Sequence, residues 1–327
     1  VGLKNRLFRY IFPEIVAKCA ISRMSPSSGI VLMYHEVLPD DFKLPAWTVV
    51  RESDFRWQML FLKTHFDVVS MDHALDRITG KPNYHRPFAV VTFDDGYKGN
   101  IDIVLPLMES LGLPFTVFIA TQAVVDQKQY WYDRIINLLD VPRDVHVCLT
   151  LNGQKERYKI SHLASEQCRW QQVQRILSRL KLMAPPDRDK NVESILESYA
   201  AVGASLQMLT PEESRRLAAS ACVTVGSHTH GHELLDQLTP QEVQESLRTA
   251  HREITRMTGL PPRHFAYPNG NLNSCVKEQV HLAGYETAVT TTPGIWSAQN
   301  CLLEIPRISV GRFETRGSFR SRVSGYL

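Results

Sequence analysis

No stretch of this chain approaches the roughly 20 consecutive apolar residues that a membrane-spanning helix needs, so nothing in the sequence reads as a transmembrane segment. Charge of one sign is also lacking. Lysine and arginine total 37 against 34 acids, a formal net charge of +3, without the concentrated basic patch expected of a nucleic-acid binder. The six cysteines are scattered with no C-x-x-C spacing. That pattern reads as reduced thiols in a cytoplasmic setting rather than a disulfide framework. Internal repeats and low-complexity tracts are missing too. A signal peptide is not expected, because Ile11 to Ala17 is interrupted by Pro13 and Glu14.

What is present is alternation. Apolar, β-rich runs recur at 30–34, 88–93, 115–119, 222–226, 264–267, 286–290 and 305–310, with helical stretches between most of them. This favours a parallel α/β architecture, and 327 residues suffice for one large barrel domain with an insertion. Thr210-Pro211-Glu212-Glu213 and Thr239-Pro240-Gln241-Glu242 each spell a helix start, with threonine as cap and glutamate three residues on. Residues 128–208 break the pattern. Asn152-Gly153 predicts a hairpin, Val173, Ile176, Leu177 and Leu180 an amphipathic helix ending near Pro185-Pro186, and Val192 to Ala201 a second helix. This is read as a mixed, largely helical insertion beside the barrel mouth, following an N-terminal helical segment over 1–28. Within that segment, residues 1–12 mix Lys4, Arg6 and Arg9 with leucines and aromatics. Two readings compete there: a helix closing the barrel bottom, or peripheral contact with the inner membrane face.

Two motifs carry chemistry. Asp94-Asp95 follows the run Phe88 to Phe93 and precedes Gly96, which can turn the chain and bring both acids to one rim. One carboxylate could then bind a metal while the other stays free as a base. Far downstream, His228-Thr229-His230-Gly231-His232 places two histidines four apart. In a helical turn His228 and His232 would face the same way and His230 elsewhere. Two imidazoles and a carboxylate suit a first-row divalent ion, with zinc, cobalt and nickel all acceptable.

Thr92-Phe93-Asp94-Asp95-Gly96 and His228-Thr229-His230-Gly231-His232 resemble the first two motifs of the polysaccharide deacetylases, the NodB-homology carbohydrate esterases. Val31-Leu32-Met33-Tyr34-His35, Leu113 to Phe118 and Phe265 to Gly270 agree in order, so the likeness covers most of 29–124 and 209–310. It implies a distorted (β/α) barrel over 29–327 and metal-dependent removal of acetyl groups from an N-acetylated glycan or lipid-linked sugar. By that resemblance Asp94 is the general base, and Asp95, His228 and His232 hold the metal. The turn at Pro268-Asn269-Gly270 could aim a backbone N–H, that of Asn269, at the developing oxyanion.

Two departures from the family pattern redirect roles. No histidine follows His281, where many members carry a late catalytic histidine. The chain resembles circularly rearranged members, which places the general acid on His35. The arginine expected before the proline of the third motif is replaced by Ala266, and Arg307 is the candidate to orient the base. Tyr267, Trp131 and Tyr132 are candidate substrate contacts. Competing functions are a non-catalytic glycan-binding protein on the same fold, an amidohydrolase for a non-sugar acetamide, and aspartyl phosphoryl transfer. The last usually spaces its acids by one residue and has no use for the histidine pair.

Overall fold

Side-chain parity builds this fold. The computed structural model describes residues 12–42, 44–80, 84–151, 153–199 and 206–326. Within them run β1 (Gly29–Tyr34), β2 (Phe88–Phe93), β3 (Phe115–Ile119), β4 (Val223–Ser227), β5 (His264–Ala266), β6 (Thr287–Val289) and β7 (Ile308–Ser309). Successive residues on a strand face opposite sides. Ile30, Leu32 and Tyr34, with Ala89, Val91 and Phe93, pack under the helices, together with Phe55, Met59 and Leu62 from the helix Glu52–His65. The alternate set, Val31, Phe88, Val90 and Phe118, packs inside with Ala266, Val289 and Trp296. Strands apolar on both faces are the mark of a parallel sheet covered on both sides.

The strand order is β6-β5-β4-β3-β2-β1-β7, parallel throughout. An isolated parallel bridge from Val289 to Ile305 brings the far edge beside the chain entering β7. The sheet therefore curls back on itself as a distorted (β/α) barrel. Each expected apolar run overlaps one of these strands, the last shortened to two residues. Both Thr-Pro helix starts form capping boxes. Of the segment 1–28, the helix Glu14–Ile21 is described. The expectation of membrane contact at 1–12 falls, apart from Phe12, outside the described residues. Among those described, no helix is long and apolar enough to cross a membrane.

Inside the curl, space is rationed. A Cβ on Gly226 of β4 would lie 2.5 Å from the Phe118 ring. Gly226→Ala should therefore destabilise by about 1–3 kcal/mol through overpacking, read as a lowered denaturant midpoint. An unchanged midpoint would mean that Phe118 yields freely.

Between β3 and β4, residues 131–199 hold the helix Trp131–Ile136, an antiparallel hairpin (Val145–Leu151 with Gln154–Ile160) and the helices Glu166–Leu180 and Pro185–Glu197. Their apolar faces share a cluster with Tyr97, Ala120 and Met208, close to the C-terminal ends of β2 and β3. The expected hairpin is there. The prolines correct the reading of the helices: Pro185 and Pro186 begin the second helix rather than ending the first. The missing N–H and fixed φ of proline suit the first turn of a helix.

Candidate active site

The chemistry-bearing residues follow the C-terminal ends of the parallel strands, as in other (β/α) barrels. His35 follows β1, Asp94 and Asp95 follow β2, His228 follows β4, and Asn269 lies just beyond β5. Register keeps these ends level. Tyr34 pairs with Phe93, Phe93 with Val117, and Ile119 with Ser227. Asp94 N–H donates to Tyr34 O at 3.0 Å, and His228 N–H to Ile119 O at 2.9 Å.

Asp94 continues the inward parity of Val90 and Thr92. There it meets Arg307, a fully buried side chain (0 % exposed). Nη1 and Nη2 of Arg307 donate to the two oxygens of Asp94, each at 2.7 Å. Nε donates to Thr290 O at 2.8 Å, and Nη1 also reaches Thr92 Oγ1 at 3.2 Å. Burial alone would push the Asp94 carboxyl up, but the guanidinium holds it below the usual carboxylate range.

Asp95 should point outward by parity, and it does not. Its φ of 77° and that of Gly96, 87°, reverse the chain. A left-handed aspartate costs roughly 1–3 kcal/mol and is most often found where a site needs it. The turn carries Asp95 Oδ1 to 3.5 Å from His228 Nε2 and 3.3 Å from His232 Nε2. The histidines converge by a different route from the helical turn expected of their spacing. Residues 228–234 form an irregular loop, in which Thr229 (φ 69°) and His232 (φ 55°) are left-handed. Gln122 N–H pins that loop through His230 O at 2.7 Å. His230 turns away, its Nδ1 sharing a hydrogen bond with Thr121 Oγ1 at 2.8 Å.

Asp95, His228 and His232 offer three ligand atoms, all within 4.8 Å of one another. His228 Nδ1 donates to Ala266 O at 2.7 Å, which leaves the Nε2 lone pair facing inward. Asp95 Oδ1 is buried and accepts no well-aligned hydrogen bond. Three ligand atoms thus meet, that of His228 presenting a lone pair, and a divalent cation fits that donor set. Burial favours the neutral form of each group, yet the imidazoles hold Asp95 well below the usual carboxylate range, and Asp94 and Asp95 raise His228. The cluster draws positive charge.

His35 is half-buried, with the Trp47 ring edge-on at 5.8 Å and a buried Nδ1 that has no hydrogen-bond partner. Burial lowers its pKa against the opposing pull of Asp95 and Asp94. Asn269 is left-handed (φ 57°) at the turn after β5. Its Oδ1 accepts from Lys181 Nζ at 2.7 Å.

The aromatic candidates fare differently. Tyr267 is fully buried against Phe265, its hydroxyl donating to Leu303 O at 3.0 Å. This corrects its assignment as a substrate contact, since a core ring offers no face to a sugar. Tyr132 packs on His232, ring centroids 5.1 Å apart, and stacks on Tyr130 at 4.9 Å. Trp131 is half-buried beneath the Arg188 guanidinium. Sequence reasoning passed over Tyr130, whose hydroxyl donates to Asp95 O at 3.3 Å, and Thr92, which period-two parity from Asp94 could have found. It also passed over Lys181, which no local pattern signals.

The family model for polysaccharide deacetylases matches residues 81–288. The Bacillus subtilis (strain 168) protein YxkH, named as a candidate polysaccharide deacetylase, is 28% identical over 102 residues. The match covers 31% of this chain and 36% of that protein, about a third of the relative's length. Among solved structures, the Bacillus cereus polysaccharide deacetylase BC0361 is similar at a TM-score of 0.58 and 18% identity, over 90% of this chain and 69% of that one. The Streptococcus pyogenes deacetylase PplD, solved in complex with acetate, gives a TM-score of 0.59 at 15% identity, over 91% and 99%. At these identities the structural likeness bears on the fold.

Proposed function

The chain belongs to the polysaccharide deacetylase family, and from that premise we propose that it is a divalent-metal-dependent N-deacetylase acting on N-acetylhexosamine units of a glycan. The observation that carries this reading is the split between two neighbouring acids. Asp94 is locked through both oxygens to Arg307, while Asp95 faces two imidazoles. Asp95, His228 and His232 would hold the ion, zinc first, with cobalt and nickel as alternatives. Once bound, such an ion activates water and polarises an acyl oxygen.

The other roles belong to the chain itself. Each Asp94 oxygen gives one lone pair to Arg307 and keeps another, so the carboxylate stays ionised and can still take a proton from water. The Asn269 N–H would face the oxygen on which charge develops. His35 would return a proton to the leaving amine. Its lowered pKa makes it a strong donor in the fraction of molecules where it is charged. The acetate bound by PplD matches the product expected of this chain.

The test is acetate release from N-acetylglucosamine oligosaccharides before and after chelation. Activity should be lost with the metal and return when zinc, cobalt or nickel is added back. Glycan binding without acetate release in either condition would favour a non-catalytic protein on the same fold. Release only from simple non-sugar acetamides would move the substrate class.

A further inference from the structure

The helix Glu166–Leu180 is tied to the barrel rim at both ends. Its first residue, Glu166, accepts from Arg312 Nε and Nη2, at 3.1 and 3.2 Å, just beyond β7. Arg51 Nη2 adds a third contact at 3.2 Å. Immediately past the helix, Lys181 Nζ donates to Asn269 Oδ1 at 2.7 Å. A helix of this length spans roughly 22 Å, so one rigid rod carries an ammonium group to the turn that follows β5.

That ammonium lacks an ordinary partner. Among the described residues Lys181 forms no ion pair, and its one hydrogen bond is to a neutral amide oxygen. The amide is fixed in turn, since Asn269 Nδ2 donates to Asn271 Oδ1 and Asn271 Nδ2 to Asp236 Oδ2, both at 2.8 Å. The carboxylate on this relay is thus two amides away from the lysine. The buried cation of the site, Arg307, is by contrast cancelled directly by Asp94. Lys181 is half-buried and close enough to feel the Asp95 carboxylate. Burial strips water from an ammonium without replacing it by an anion, an arrangement that an incoming anionic group would complete.

We propose that Lys181 is a specificity residue that binds an anionic group, carboxylate or phosphate, on the N-acetylhexosamine being deacetylated or on the sugar joined to it. This rests on the deacetylase reading above and adds the substrate's charge to it. Neither the metal cluster nor Asp94 can supply such selectivity, because both act on the acetamide alone. A charge-assisted hydrogen bond of this kind is worth about tenfold or more in kcat/KM.

The experiment compares acetate release by the metal-loaded enzyme from three substrates. These are a neutral N-acetylglucosamine oligosaccharide, an oligosaccharide alternating N-acetylglucosamine with glucuronic acid, and N-acetylglucosamine 1-phosphate. The wild type should prefer at least one anionic substrate by about tenfold, and which one it prefers separates carboxylate from phosphate. Lys181→Met should remove that preference through KM, and Lys181→Arg should keep part of it, with unfolding midpoints confirming that both variants fold. Equal rates on neutral and anionic substrates would overturn the inference. So would a Lys181→Met loss of equal size on all three, which would make the lysine a support for the Asn269 turn. No acetate from any substrate with the wild type would overturn the deacetylase reading and this inference with it.

Discussion

Arg307→Met should cost stability and turnover together, and the stability loss should grow with pH. In the wild type the guanidinium is fully buried and spends both terminal nitrogens on Asp94. Methionine fills much of the volume but leaves a buried carboxylate unpaired, a loss of about 3–5 kcal/mol. The sign of the pH dependence follows from the direction of the Asp94 shift. Its folded pKa is depressed, so its contribution is present above the unfolded value of about 3.9 and is lost as pH falls through the folded one. Without Arg307, only His228 and His35 oppose burial, so the folded pKa rises and less of that contribution survives above about pH 4. The gap between the two unfolding midpoints should therefore widen from acid to neutral pH. A gap independent of pH would mean that Asp94 does not carry the charge assigned to it. Arg307→Lys should rescue little, because a single ammonium cannot reproduce the paired 2.7 Å contacts.

The second large effect separates the adjacent acids. Asp94→Asn should lower acetate release by about 10²–10⁴-fold, the usual worth of a general base, with metal content unchanged. Asp95→Asn should abolish activity by a different route, through loss of the metal itself. Asp95 supplies the oxygen in a set whose other donors are the Nε2 atoms of His228 and His232. Metal analysis alongside kinetics reads the contrast. Metal lost from the Asp94 variant, or kept at full occupancy by the Asp95 variant, would exchange or dissolve the two roles.

What could be read in the chain was what parity and composition determine. Runs such as Phe88–Phe93 are apolar at every position but Thr92 and buried throughout, and that marks a strand covered on both faces. Asp94 then points inward for the same reason that Val90 does. Asp95 and the histidine pair were expected to converge, but not by the route the chain takes. It depends on left-handed backbone at Asp95, Thr229 and His232, and residue type only weakly signals such conformations outside glycine. Four-residue spacing suggested a helix, whereas the loop is shaped by its hydrogen bonds to Thr121 and Gln122. Tyr267 was misjudged because its neighbour in the motif turns toward the site while its own ring goes into the core. Lys181 was invisible for another reason. Its helix is legible as an amphipathic stripe, but a partner 88 residues away is chosen by tertiary packing.

The proposed chemistry requires one cation held by Asp95, His228 and His232, with Asp94 left unligated. Anomalous diffraction from crystals of the zinc-loaded protein, recorded on either side of the zinc edge, measures this directly. A single peak shared by the Asp95 carboxylate and both Nε2 atoms, with Asp94 still paired to Arg307, is the predicted result. A peak ligated by Asp94, or one lying away from the two histidines, would contradict it.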